Sequence, residues 1–202
     1  MEFFSGITTN RWIEIIGTVL AITYVILIAR GKRAGWWFGI FSSLLSIWLF
    51  IRVNLLAESF LYLYYVVVGF YGYYSWTKEA GADARKTITT RPASFHIVGV
   101  ALCSALSVGL AQILDFLGSA IIYADAATTV FSFFATWMVA KRILENWIYW
   151  IVIDLFSVWL YNERGLPVYA GLMALYTILA TAGFFLWLKE YRKSPAQSNT
   201  AE

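Results

Sequence analysis

The sequence predicts an all-α integral membrane protein of seven transmembrane helices, arranged as two parallel three-helix repeats joined by a linker helix (3+1+3), N-terminus outside and C-terminus inside. Three observations lead there. The 202 residues are 60% hydrophobic and only 13% charged, whereas a soluble surface needs about 25–35% charge. Seven apolar runs, at about 12–29, 35–53, 57–76, 95–114, 121–140, 146–162 and 167–188, approach the roughly 20 residues that cross a hydrocarbon core. The chain also matches itself at a fixed offset of 111 residues.

Each run should be helical despite its valines and tyrosines, because the bilayer offers backbone amides no water and a helix satisfies them within the segment. Basic residues set the orientation. Twelve (Arg30, Lys32, Arg33, Lys78, Arg85, Lys86, Arg91, Lys141, Arg142, Lys189, Arg192, Lys193) fall on one side and three (Arg11, Arg52, Arg164) on the other. The richer side is cytoplasmic. No cleavable signal peptide is expected in residues 1–11, which lack a basic segment followed by an apolar stretch. The segment 77–94, with Gly81, Pro92 and four basic residues, is the longest connection and is expected to be mobile, and the polar tail 194–202 is expected to be disordered.

The offset aligns residues 12–79 with 123–190 without a gap and returns more than a dozen identities where about 5 would arise by chance from ordinary residue usage. Among them are Thr18 with Thr129, Trp36 with Trp147, Ser46 with Ser157, Trp48 with Trp159, Tyr65 with Tyr176, Gly72 with Gly183 and Trp76 with Trp187. The first and fifth runs cross in the same direction, so the repeats are parallel. The organisation expected is a first bundle over 1–79, a cytoplasmic loop and linker helix over 80–120, and a second bundle over 121–193. Parallel repeats with one linker helix are the SWEET-type arrangement, in which substrate sits near the midplane between bundles that rock about it.

The polar residues within the runs are the candidates for contact with a substrate. In the sixth run Trp147, Trp150, Asp154, Ser157 and Tyr161 share one helical stripe, with Asn146 at its start and Asp154 roughly 12 Å from the cytoplasmic end. A carboxylate at that depth faces a cavity or a partner rather than lipid; the alternative is an Asp that fixes helix packing. In the third run Glu58, Tyr62, Tyr65, Gly72 and Trp76 fall on one face. Tyr62 and Tyr65 are deep enough to need hydroxyl partners, from substrate or a neighbouring helix, while Tyr73, Tyr74 and Trp76 read as interfacial anchors. In the fifth run Asp125, Thr129, Ser132 and Thr136 recur at helical spacing, a pattern that also serves tight helix packing. The first half has only Glu14, Thr18, Ser43 and Ser46 to set against these. A chamber walled by indoles and phenols with one carboxylate suits a flat cationic aromatic ring joined to a polyol.

The segments Glu58-Ser59-Phe60-Leu61-Tyr62, Tyr71-Gly72-Tyr73-Tyr74-Ser75-Trp76, Asp125-Ala126-Ala127-Thr128-Thr129 and Glu145-Asn146-Trp147, with Trp150, Asp154 and Tyr161, resemble the PnuC family of nicotinamide riboside transporters. The resemblance implies uptake of nicotinamide riboside by facilitated diffusion across the bacterial inner membrane, uncoupled from ions or ATP, and a homotrimer. It also implies a functional link to a cytoplasmic nicotinamide riboside kinase, whose charged product cannot leave. One departure is Thr136, where the family is expected to carry glutamine; Asn146 or Tyr65 would then take its place.

Other classes of function fit less well. A single cysteine excludes an intramolecular disulfide and a single histidine a multi-histidine metal site. No Gly-x-x-x-x-Gly-Lys sequence is present, and neither a cofactor nor a nucleic acid is expected, since the net charge of +3 follows topology. The alternatives are the same fold carrying another vitamin-type nucleoside or a sugar, and a membrane-embedded enzyme using Asp154 and Asp125 as an acid–base pair. The last is disfavoured by the different depths of the two carboxylates.

Overall fold

The computed structural model describes residues 9–52, 56–81, 88–116 and 123–193. Seven α-helices occupy them: α1 (Thr9–Ala29), α2 (Gly35–Arg52), α3 (Leu56–Gly81), α4 (Ala93–Phe116), α5 (Tyr123–Ala140), α6 (Asn146–Glu163) and α7 (Pro167–Arg192). The tail from Ser194 lies outside the described residues. α3 and α7 run past the ends expected from hydropathy, because the backbone ladder continues into the aqueous boundary and carries Lys78, Lys189, Glu190 and Arg192 out on extra turns. Four helices are both long and apolar enough to cross a membrane, within 11–29, 35–52, 93–113 and 167–192. α3, α5 and α6, of 26, 18 and 18 residues, are long enough to span about 27 Å or more. Their phenols, indoles, hydroxyls and carboxyls lower their hydropathy.

The chain forms two compact units, Met1–Asp83 and Ala84–Glu202. In the first, α2 packs against both α1 and α3. α1 ends in a left-handed residue, Gly31 (φ 67°). The Gly31 and Lys32 amides donate to the carbonyls of Ile28 and Leu27, each at 2.9 Å, the two bonds of a Schellman cap. Close approach of the helices is set by glycine: a methyl on Gly39 would lie 2.9 Å from the Tyr24 ring, and one on Gly72 would overlap the Trp36 indole. Trp36 meets Trp76 edge to face, centroids 5.5 Å apart. Trp76 is completely buried, so the interfacial anchor expected there is instead a core residue. Tyr74, by contrast, is exposed.

In the second unit α5 packs against α4 and α6, and α6 against α7. The α5–α6 turn repeats the cap of the first unit: the amides of Arg142 and Ile143 donate to Val139 and Met138, each at 3.0 Å. These positions are 111 residues on from Gly31, Lys32, Ile28 and Leu27. Arg142 adopts the left-handed conformation (φ 54°) that glycine holds in the first copy. Trp147 likewise meets Trp187 edge to face at 5.4 Å, and a methyl on Gly183 would lie 2.7 Å from Trp147.

The units differ at their turns. In the second, residues 88–92 lie across the turn: the Thr89 amide donates to the Arg142 carbonyl (3.0 Å), the Leu144 amide to the Thr89 carbonyl (2.8 Å), and the Arg91 amide to Glu145 Oε1 (3.2 Å). Ile88, Ile143 and Leu144 are buried there. The counterparts of Ile143 and Leu144 are Lys32 and Arg33, which no such segment covers among the described residues and which are exposed. Within the segment 77–94, residues 77–81 continue α3 and Thr89 pairs with the α5–α6 turn, while 82–87 lie outside the described residues. α4 seats on α5 where Gly99 admits the Phe134 ring, which stacks with Phe95 and Trp137.

Candidate functional site

All ten residues singled out as substrate contacts lie on α3, α5 and α6, the helices whose polarity keeps them from being apolar spans. In the second unit the stripe on α6 is turned inward: Asn146, Trp147, Asp154 and Ser157 are buried and Trp150 is half-buried, while Ile148, Val152, Leu155 and Trp159 on the other face are exposed. On the neighbouring α5, Ser132 and Thr136 are buried and Thr129 is half-buried. This unit therefore holds Asn146, Trp147, Trp150, Asp154, Ser157, Thr129 and Ser132. Tyr62 and Tyr65 belong to the first unit, where their rings meet at 5.7 Å and Tyr62 also meets Phe50 at 5.3 Å. Glu58 is within α3, and its side chain lies outside the described residues.

The chemistry open to each residue depends on what already engages it. The Ser157 hydroxyl donates to the Ile153 carbonyl (2.8 Å) and that of Thr136 to the Ser132 carbonyl (2.7 Å), so both donor protons are used within their own helices. Ser46 makes the equivalent bond to Ser42 in the first unit (3.1 Å). The Trp147 indole is wedged between Gly183 and Trp187. Trp150 is half-buried and meets no other aromatic ring among the described residues. Asn146 donates from Nδ2 to the Ile143 carbonyl at 2.6 Å, and since a carbonyl can only accept, this contact fixes the amide's orientation. Its Oδ1 is buried with no hydrogen-bond partner among the described residues.

Asp154 is the only buried carboxylate among the described residues, and no donor or cation among them meets it. Asp125, at the start of α5, is held by Arg164 just beyond α6, with both carboxylate oxygens near Nη2 (3.0 and 3.1 Å). Arg164 is ten residues beyond Asp154, roughly 15 Å along the helix axis. Asp125 is thus paired with Arg164, whereas Asp154 lies about three turns back along α6.

Two groupings escaped the sequence reading. The Trp–Gly–Trp contact in each unit was visible as three aligned identities, but residue type alone does not say that an indole lies on a glycine. A second cluster joins α4 to α6: His96 Nδ1 lies 3.1 Å from the Tyr149 hydroxyl and its Nε2 lies 4.0 Å from Glu145 Oε2. No spacing rule links residues 96 and 145.

The family model described as nicotinamide mononucleotide transporter matches residues 11–189. The chain belongs to this family. Proteins named nicotinamide riboside transporter PnuC are similar along most of the chain. That of Escherichia coli K12 is 22% identical, covering 90% of this chain and 87% of its own. That of Neisseria mucosa is 27% identical, covering 93% and 76%. A solved structure, the crystal structure of the vitamin B3 transporter PnuC, superposes with a TM-score of 0.72 at 25% identity over 90% of this chain and 83% of that one. Membership makes this multi-helix membrane protein a transporter.

Proposed function

We propose that the protein takes up nicotinamide riboside across the bacterial inner membrane by facilitated diffusion, uncoupled from ions or ATP, through alternating access, and so feeds NAD biosynthesis. The observation that carries the reading is the α6 stripe, in which a buried carboxylate, Asp154, that meets no donor or cation among the described residues lies one turn from the half-buried indole of Trp150. A pyridinium ring needs both an aromatic face and a counter-charge. Trp150 and Trp147 stack on or flank the ring, Asp154 supplies negative potential, and Thr129, Ser132, Asn146 and Ser157 of the same unit supply polar contacts.

The layout belongs to the same proposal: two parallel three-helix repeats, 1–79 and 121–193, joined through 80–120 with α4 as linker, N-terminus outside and C-terminus inside. The matched Schellman caps and matched Trp–Gly–Trp contacts at the 111-residue offset support it. Assembly as a homotrimer and trapping of the product by a cytoplasmic nicotinamide riboside kinase complete the reading. The relatives' names point to the riboside and the family description to the mononucleotide. The riboside is preferred because a phosphate dianion beside an unpaired Asp154 is repelled.

Calorimetric titration of the detergent-purified protein with nicotinamide riboside and with nicotinamide mononucleotide tests this. Tight binding of the first and none of the second is expected; binding of thiamine, another nucleoside or glucose in their place refutes it. Trp150→Ala should weaken riboside binding by about 1 kcal/mol or more, a typical stacking contribution. Unchanged affinity in the folded variant removes Trp150 from the site.

A further inference from the structure

We infer that Asp154 makes this carrier charge-selective, so that it admits a pyridinium nucleoside as the cation and discriminates against neutral and zwitterionic forms of the same size. The inference rests on the reading above that a pyridinium nucleoside is the cargo, and adds what decides among its chemical forms.

Three observations support it. Asp154 is 6% exposed, and among the described residues no hydrogen-bond donor or cation reaches it. It sits eight residues from Asn146 and nine from Glu163, the ends of α6, which puts it roughly 12 Å from one end and 14 Å from the other. The helices packed on α6 bring no compensating charge. Tyr123 and Asp125 are the titratable residues of α5, and Asp125 is engaged by Arg164. The cations of α7, Lys189 and Arg192, are in its last turn and exposed.

The third observation separates packing from function. The residue 111 positions earlier is Ser43, which is also 6% exposed at the matching place on α2. Helix packing at this position is thus met by a neutral hydroxyl in one unit, and the charge in the other serves something else. An unpaired carboxylate within a membrane protein is costly until a cation arrives. A cationic ligand relieves that cost on binding, while a neutral ligand of the same shape leaves it in place. The difference between the two is selectivity for charge.

The test uses the full chain in liposomes and measures uptake of nicotinamide riboside, of its neutral 1,4-dihydropyridine form, and of the zwitterionic nicotinic acid form. The cation should be preferred over the neutral form by about tenfold or more, since an ion contact of modest strength already gives that factor. In Asp154→Asn, and in Asp154→Ser, which copies the other unit, the ratio should fall to near one, while Asp154→Glu keeps it. The two neutral variants guard against one failing to fold. If both forms lose uptake together and the ratio survives, Asp154 is a packing residue and the inference is overturned. Equal uptake of both forms by the unaltered protein also overturns it but leaves nucleoside transport standing. Uptake of none of the three overturns the functional reading itself.

Discussion

Substituting Gly183 by alanine isolates the contact that most resembles a built joint. Helix preference alone favours alanine over glycine by about 1 kcal/mol. The added methyl, however, would lie 2.7–2.8 Å from three carbons of the Trp147 ring, closer than real side-chain contacts allow. The ring cannot withdraw freely, because Trp147 is 2% exposed and its other neighbour is Trp187, itself 1% exposed. Overpacking of this kind costs about 1–3 kcal/mol. For a chain of this size that lowers the apparent midpoint of thermal unfolding by roughly 2–12 °C, at about 2–4 °C per kcal/mol. The assay is thermal unfolding of detergent-purified protein at one fixed scan rate, which keeps irreversible transitions comparable. Gly171→Ala, where nothing lies within 4 Å of the added methyl, is the control and should be unchanged or slightly more stable. Equal stability of the two variants refutes the claim that Gly183 is glycine because Trp147 lies on it.

Gly31→Ala should lose about 1 kcal/mol, because Gly31 caps α1 at φ 67°, whereas Gly109→Ala in open space should not; chemical unfolding of the two variants decides. Asn146→Asp should destabilise more than Asn146→Ala, since it replaces the donor facing the Ile143 carbonyl with a carboxylate oxygen while alanine merely removes it; melting of both variants at neutral pH checks the order. A double-mutant cycle of Asp125→Asn with Arg164→Gln should return a coupling of about 0.5–1 kcal/mol, as expected of a partly exposed pair, and a coupling near zero would mean that solvent already screens it. Thr89→Pro removes an amide that bonds to the Arg142 carbonyl and should loosen the covered turn, read as faster hydrogen exchange at the Leu144 amide, which donates to the Thr89 carbonyl.

The seven helices were legible because backbone amides in hydrocarbon have almost no choice, and the boundaries moved only where helices run on into the aqueous layer, as α3 does to Gly81. The polar stripe on α6 was legible for a related reason: residues 147, 150, 154 and 157 must share a face on any helix, and a carboxylate does not face lipid. Legibility failed where two distant segments meet. Trp76, read as an interfacial anchor, turned out to be buried against Trp36, since an aromatic near a helix end serves a headgroup or a neighbouring helix equally well until that neighbour is placed. Residues 88–92 look like a polar linker in isolation, yet they pair with a turn more than fifty residues away.

By itself the sequence determined a helical membrane protein, its internal offset of 111 residues, and the single deep carboxylate, because each of these depends on local periodicity or on the cost of polarity in lipid. The tertiary structure decided which polar groups remain free to act. Ser157 and Thr136 donate their hydroxyl protons to their own helices, Trp147 is held between Gly183 and Trp187, and Asp125 is paired with Arg164. Asp154 meets no donor or cation among the described residues, since pairing is a property of the neighbours a side chain meets in space.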